Sequence, residues 1–371
     1  MWPVKAAILF LSLCLPAWAD LAAGQLALKN GDYATALTEF LPLANQGNAS
    51  AQTGLAFLYA EGKGVAQNYT EAAKWYLLAA VQGNVVAQYN LGLMYNNGRG
   101  VPQDYKEAVR WYRLAAEQGD AQSQLQLGIN YQRGYGIPQD YKEAVRWYRL
   151  AAERRNVTAM FFVANAYYIG EGVLQDYKEA MRWFQLAADR GMAAAQGSLG
   201  GMYAQGLGVP QDYKEAVRWY RLSADQGDAQ AQDNLGLMYN NGRGVPQDHK
   251  EAAKWYRLAA DQGSGDAQVQ LGILYINGQG VLKDPKEAAK WYRLAADQGF
   301  AVAQYFLGYM YDYGEGVPQD YVQAHMWYNL GGASGNADAV KGRDLVALKM
   351  TPQQIAEAQR LAREWKPKTS R

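Results

Sequence analysis

From Asn84 to Gly119 the chain reads NVVAQYNLGLMYNNGRGVPQDYKEAVRWYRLAAEQG. Ala87, Leu91, Met94 and Tyr95 fall at i, i+4, i+7 and i+8, which is one face of a helix. Gly98 and Gly100 are expected to stop that helix, because glycine reaches the left-handed conformation needed just past a helix end. Pro102 sits in the connecting turn. Asp104 opens a second helix. Its carboxylate can accept from the free N–H groups of the first turn, and Glu107, three residues on, can reach back to complete a capping box. Ala108, Trp111, Tyr112, Ala115 and Ala116 then share a face, with large rings to pack and alanines to let backbones approach. Lys106, Arg110 and Arg113 point elsewhere, and Gly119 ends the helix. The stretch is a helix–turn–helix hairpin whose apolar face has no cover within the unit.

The cover is another copy of the same unit. Tryptophan recurs every 36 residues, at Trp75, Trp111, Trp147, Trp183, Trp219, Trp255, Trp291 and Trp327. A fixed period in this range signals a solenoid, in which each hairpin buries its face against the next. The pattern predicts an all-α fold, a right-handed α-solenoid (superhelix) of stacked 36-residue hairpins. Eight units are expected at 48–83, 84–119, 120–155, 156–191, 192–227, 228–263, 264–299 and 300–335. The cap pair recurs as Asp140/Glu143, Asp176/Glu179, Asp212/Glu215, Asp248/Glu251 and Asp284/Glu287. Each cap is worth about 1 kcal/mol, and carboxylates engaged in capping are poor general acids or bases. Residues 20–47 read as a capping half-repeat, with Glu39 where Trp would stand. Residues 336–371 read as C-terminal capping helices and a tail. Thr351, Pro352 and Gln354 promise a second capping box there, and Lys366 to Arg371 a frayed basic end.

Composition supports a packed chain: of 371 residues, 49% are hydrophobic and 19% charged. The N-terminus looks like a secretory leader over residues 1–19. Lys5 supplies its positive region, Ala6 to Leu15 is an apolar run too short to span a membrane, and Ala17-Trp18-Ala19 is a small-x-small cleavage site. The expected cut is Ala19/Asp20. Removing the leader removes the only cysteine, Cys14, so the mature chain has neither disulfide nor thiol chemistry. It also leaves 35 basic against 35 acidic residues, a balance that does not favour nucleic acid. The localisation expected is periplasmic or secreted, with no transmembrane segment after cleavage, and the chain is expected to be a monomer.

The unit resembles the Sel1-like repeat, a relative of the tetratricopeptide repeat about 36 residues long. The resemblance rests on AQYNLGLMY (Ala87 to Tyr95) and on the stretch from Gly98 to Gly119, and it covers essentially the whole mature chain. It implies a scaffold or adaptor that assembles protein complexes, and, for exported bacterial members, roles in the envelope of Gram-negative cells or at the host interface. Cysteine-rich secreted members with β-lactamase-like activity carry a disulfide pair in each repeat; this chain carries none.

If stacking sets the core positions, the positions that vary between copies mark the working surface. On the first helix they are those of Val86, Tyr89, Asn90, Leu93 and Asn97, which form one stripe. First helices line the concave side of stacked hairpins, so the stripe is the candidate groove. Tyr89 and Asn90 represent it in the second unit. The fourth unit contributes Phe161, Phe162 and Asn165, and the eighth Tyr305, Phe306, Tyr309 and Tyr313. Exposed rings would make a recognition surface, since aromatic side chains give area at low entropy cost. Full burial of Phe162 and Phe306 would mean that the rings only pad the core.

The second helix carries a cationic ladder: Lys74, Arg110, Arg146, Arg182, Arg218, Lys254 and Lys290, with Arg113, Arg149, Arg221, Arg257 and Arg293 beside it. It reads as a solvated face supported by Glu–Arg pairs three residues apart. The alternative is recognition of an anionic polymer.

Catalytic chemistry is not legible. His249 and His325 stand alone, no cysteine partners them for metal, and the Gly-x-Gly pairs lack the flanking strand of a phosphate loop. No cofactor is expected. The partner expected is a protein or peptide. Peptidoglycan or a polysaccharide, bound through groove aromatics, is the alternative, and a cell-wall or β-lactam hydrolase the third reading. The frame itself can be tested: Trp147→Ala should cost about 3–5 kcal/mol as a core truncation, measured by urea unfolding. A loss well under about 1 kcal/mol would show an unburied ring.

Overall fold

The computed structural model describes residues 19–368, and the expected leader through residue 18, with Lys5 and Cys14, lies outside the described residues. The described residues hold twenty helices and no strand. The first helices of the eight repeats are α3 (Ala49–Glu61), α5 (Val85–Asn97), α7 (Ala121–Arg133), α9 (Val157–Ile169), α11 (Ala193–Gln205), α13 (Ala229–Asn241), α15 (Gly265–Asn277) and α17 (Ala301–Tyr313). The second helices are α4 (Tyr69–Ala80), α6 (Tyr105–Glu117), α8 (Tyr141–Glu153), α10 (Tyr177–Ala188), α12 (Tyr213–Ala224), α14 (His249–Asp261), α16 (Pro285–Asp297) and α18 (Tyr321–Ala333). The chain divides into two compact units between Leu174 and Gln175, inside the irregular fourth repeat.

The second helices start where the sequence placed them. Asp104 is extended and its carboxylate accepts from Lys106 N–H at 2.8 Å and Glu107 N–H at 3.1 Å. The reciprocal half of the expected box is replaced: the Glu107 carboxylate lies 3.2 Å from Arg110 Nη1. The choice recurs in the other repeats, because a cation three residues on gives a carboxylate a charged partner and the amide only a neutral one. A complete box forms at Thr351 and Gln354, with Pro352 in the first turn.

The two glycines of each turn have different duties. Gly98, at φ 65°, ends α5, and its N–H donates to Met94 O. Gly100, at φ 71°, does not act as a stop: a Cβ there would lie 2.1 Å from the carbonyl oxygen of Tyr69. The turn therefore lies against the first turn of the preceding repeat's second helix, and only glycine lets it. Where Gly119 is replaced in the third repeat, Arg155 takes φ 64°, the one non-glycine residue with positive φ among those described.

Inside six of the eight repeats the second-helix tyrosine packs on a first-helix glycine; the first and fourth carry Ala56 and Ala164 there. A Cβ on Gly92 would sit 2.6 Å from the Tyr112 ring. The tryptophan works between hairpins. Trp111 clusters with Ala72, Ala73 and Tyr76 of the repeat before it and with Ala87, Leu91 and Met94 of its own. Trp111, Trp147, Trp219, Trp291 and Trp327 are buried; Trp75, Trp183 and Trp255 are half-buried. Polar ties follow the same period. Gln88 Nε2 donates to Ala80 O at 3.1 Å, and Gln118 Nε2 donates to Gln88 Oε1 at 2.8 Å.

Both ends depart from expectation. Residues 20–47 hold two helices, α1 (Leu21–Asn30) and α2 (Tyr33–Asn45). They form a whole hairpin where half was expected, with Phe40 filling the space over Gly24 and Gly54. At the other end α19 (Ala337–Ala347) and α20 (Pro352–Glu364) cap the last repeat, and Trp365 meets Trp327 edge-on at 6.3 Å. Of the tail expected to fray, residues 369–371 lie outside the described residues, and the described part is tied at Lys368. Its N–H donates to Asp297 O at 2.7 Å and its Nζ lies 2.8 Å from Asp297 Oδ2. The end of α16 carries partial negative charge as well as the Asp297 carboxylate, and so holds a cation.

The glycine positions separate backbone strain from steric approach. Gly83→Ala, with nothing within 4 Å of the new Cβ, should cost about 1 kcal/mol for its positive φ. Gly100→Ala should cost about 3 kcal/mol, since overpacking adds to the strain. Equal urea midpoints for the two variants would refute the close-approach role.

Candidate functional site

The variable stripe lies along the first helices, where each meets the hairpin before it. Between the first and second repeats it opens into a cavity of about 200 Å³ lined by Phe57, Glu61, Tyr69, Asn90, Asn97 and Arg99, among others. The carboxylate of Glu61 and the guanidinium of Arg99 give it both signs of charge. Arg99 also lies over the Tyr69 ring at 5.7 Å. Tyr76 forms the floor, and burial pushes its hydroxyl far above the ordinary tyrosine range.

The same ring of positions two repeats later includes Gln132, Tyr141, Tyr148, Phe162, Asn165 and Ile169, and encloses only about 20 Å³. Asn90, Asn97 and Arg99 of the first opening give way there to Phe162, Ile169 and Glu171. Phe162 takes the position of Asn90 and stacks on Tyr148, with centroids 4.9 Å apart and planes at 14°. Phe306 does the same on Tyr292, at 4.9 Å and 17°. Asn90 is shorter and turns to its own helix, Nδ2 donating to Val86 O at 2.8 Å. So the rings proposed from sequence as binding groups are half-buried. They are not sealed in the core, but they fill the seam between hairpins.

The other proposed residues divide similarly. Tyr89 is half-buried beside Tyr112, centroids 6.2 Å apart. Its hydroxyl pKa is raised by burial and by Asp120. Phe161 meets Phe162 edge-on at 6.3 Å, and Asn165 Nδ2 donates to Phe161 O at 3.2 Å. Tyr305 lies 5.3 Å from Phe306 and 6.0 Å from Tyr328. Tyr309 and Tyr313 are the exposed pair, at 39% and 61%, with centroids 4.5 Å apart. Lys349, which sequence reasoning passed over, stands above Tyr313 at 5.3 Å and is fixed by the buried Asp312, 2.8 Å from its Oδ1. Its distance in sequence left no signal; α19 brings it there.

The ladder on the second helices splits into two series. Lys74, Arg110, Arg146, Arg182, Arg218, Lys254 and Lys290 each pair with the glutamate three residues before. The companion arginines do not face solvent freely. Arg113 Nη2 donates to Tyr131 OH at 3.0 Å, and Arg149, Arg221, Arg257 and Arg293 reach Tyr167, Tyr239, Tyr275 and Tyr311 likewise. They tie α6, α8, α12, α14 and α16 to the first helix of the next repeat, so the exposed face there presents ion pairs.

One carboxyl on the stripe is shifted. Asp233 occupies the position of Tyr89, and its carboxyl is pushed up to about 6, first by burial and then by Asp266 of the next repeat. His325 is buried, its pKa held down by burial and by Arg343. His249 Nδ1 lies 2.9 Å from Asn240 Oδ1. No group of three or more His, Cys, Asp or Glu side chains able to hold a metal gathers among the described residues. No described helix is long and apolar enough to cross a membrane.

Stacked two-helix units with an inter-repeat tryptophan and a variable first-helix stripe define the class: a tandem-repeat α-solenoid. The model of the Sel1 repeat matches residues 49–84, 85–120, 121–156, 157–192, 193–228, 229–264, 265–300 and 301–336, one residue out of phase with the units read from the sequence. The chain belongs to the Sel1 repeat family. Members are generally protein–protein interaction scaffolds and typically lack enzymatic activity.

Two solved structures align over most of the chain. One is a Sel1 repeat protein from Oxalobacter formigenes, 32% identical, covering 92% of this chain and 96% of its own, with a TM-score of 0.67. The other is a protective antigen present in uropathogenic Escherichia coli strains that displays an SLR fold. It is 34% identical and covers 93% of this chain and 83% of its own, with a TM-score of 0.59. No curated protein matches the chain.

Asp233 gives a pH signature. Its folded pKa of about 6 lies above the usual 3.8, so the fold favours the protonated form. That contribution is complete below the unfolded value and is lost as pH rises through about 6. Asp233→Asn should match wild type near pH 3.5 and exceed it by about 1–2 kcal/mol at pH 7.5. Urea midpoints at the two pH values check this; an equal difference at both would refute it.

Proposed function

We propose that this chain is an exported bacterial scaffold that docks a protein or peptide partner on its first-helix stripe. The opening between the first two repeats would receive a partner side chain. The observation that carries this is the contrast between two equivalent seams: the one around Asn90 holds a cavity of about 200 Å³, the one around Phe162 about 20 Å³. Packing alone would favour the filled seam, because an open one forgoes contacts. A cavity of this size also falls below the roughly 300–1,000 Å³ that whole small-molecule ligands occupy. It suits one anchored side chain, with Asn90, Asn97, Glu61 and Arg99 to fix its orientation. Family membership supports the scaffold reading. The leader read from the sequence supports export to the periplasm or beyond the cell.

A second reading draws on the eighth repeat. The exposed Tyr309–Tyr313 pair with Lys349 beside it suits a sugar ring of peptidoglycan or a polysaccharide. The two readings separate by site and by probe. Asn90→Phe should close the first opening and weaken peptides selected from a displayed library by at least about tenfold. Tyr309→Ala should leave those peptides unaffected. Purified peptidoglycan lost on Tyr309→Ala alone would favour the sugar reading. Unchanged peptide binding by a folded Asn90→Phe chain would sink the docking reading.

A further inference from the structure

The N-terminal hairpin holds a carboxylate where every repeat holds a ring. Glu39 lies 36 residues before Trp75, in the register of the tryptophan ladder. Phe40 covers the neighbouring glycines, so Glu39 is not needed to fill space. Its Oε2 instead sits 2.6 Å from the backbone nitrogen of Asp20. Asp20 is itself the cap of α1, its carboxylate accepting from Ala22 N–H at 2.8 Å. The nitrogen that Glu39 meets is the one that cleavage after Ala17-Trp18-Ala19 would free.

We propose that hydrolysis of the Ala19–Asp20 bond completes the N-terminal cap, and that Glu39 is the receptor for the ammonium it creates. Water adds across the peptide bond: Ala19 departs with a carboxylate, and Asp20 keeps the nitrogen, which takes up a proton. The carboxylate's contact with a neutral amide becomes an ion pair at the same atom, with charge on both partners. The need for Glu39 is specific. The N-terminal end of a helix carries partial positive charge, so a free ammonium there is unfavourable by itself. A cut one residue away would displace the charge by about 3.3–3.6 Å and out of hydrogen-bond reach. The proposal rests on the leader read from the sequence and is independent of the docking reading.

The test uses the full mature chain prepared with a free Asp20 and with an acetylated Asp20, each with and without Glu39→Gln. Intact mass of the exported protein should place its first residue at Asp20. Hydrogen exchange in α1 should be about two- to fivefold slower in the free chain than in the acetylated one, the range expected for an exposed ion pair. Glu39→Gln should erase or reverse that difference. Another first residue would overturn the proposal. So would equal exchange in the two wild-type chains, or a difference that survives Glu39→Gln.

Discussion

Six of the eight repeats depend on a tyrosine ring lying where a glycine has no side chain. Gly92, Gly128, Gly200, Gly236, Gly272 and Gly308 all receive the tyrosine of their own second helix at distances that no Cβ could share. Interiors are packed at crystal density, so a single methyl group there forces a shift. The ring brings the two helices together. Their joint apolar face is then presented to the next hairpin, where the tryptophan, the Gln88–Gln118 type of hydrogen bond and the Arg113–Tyr131 type of tie complete the contact. The period of 36 residues is the sequence trace of this interlock.

Function has room only where the interlock leaves choice. The position of Asn90 faces the floor tyrosine of the preceding hairpin and is not needed to hold it. Phe162 stacks on the floor in a nearly closed seam; Asn90 folds onto its own helix beside an open one. Aromatic content along the stripe therefore measures how far the seam is filled, and exposure has to be established residue by residue. Tyr313 protrudes, whereas Phe306 is half-buried on Tyr292.

Much of the frame was legible because it is repeated. Helix starts, the Asp caps, the buried Trp–Tyr–Ala face and the glycine stops all carry local signals that act within a few residues. The details misjudged involve partners far along the chain. Gly100 looked like a stop, but it is the point where the turn meets Tyr69 of the preceding repeat. Arg113 looked solvated, but it reaches Tyr131. Lys368 looked like a loose end, but it returns to Asp297.

By itself the sequence determined the unit, its period, its stacking residues and the stripe left free to vary, because these follow from helical periodicity and from the need to cover an apolar face. The tertiary structure alone decided which stripe residues are filled and which are open. It paired Asp233 with Asp266, Phe162 with Tyr148 and Asp20 with Glu39. Those pairings depend on where one hairpin's side chains land on its neighbour, a distance of a few ångströms that no spacing along the chain encodes.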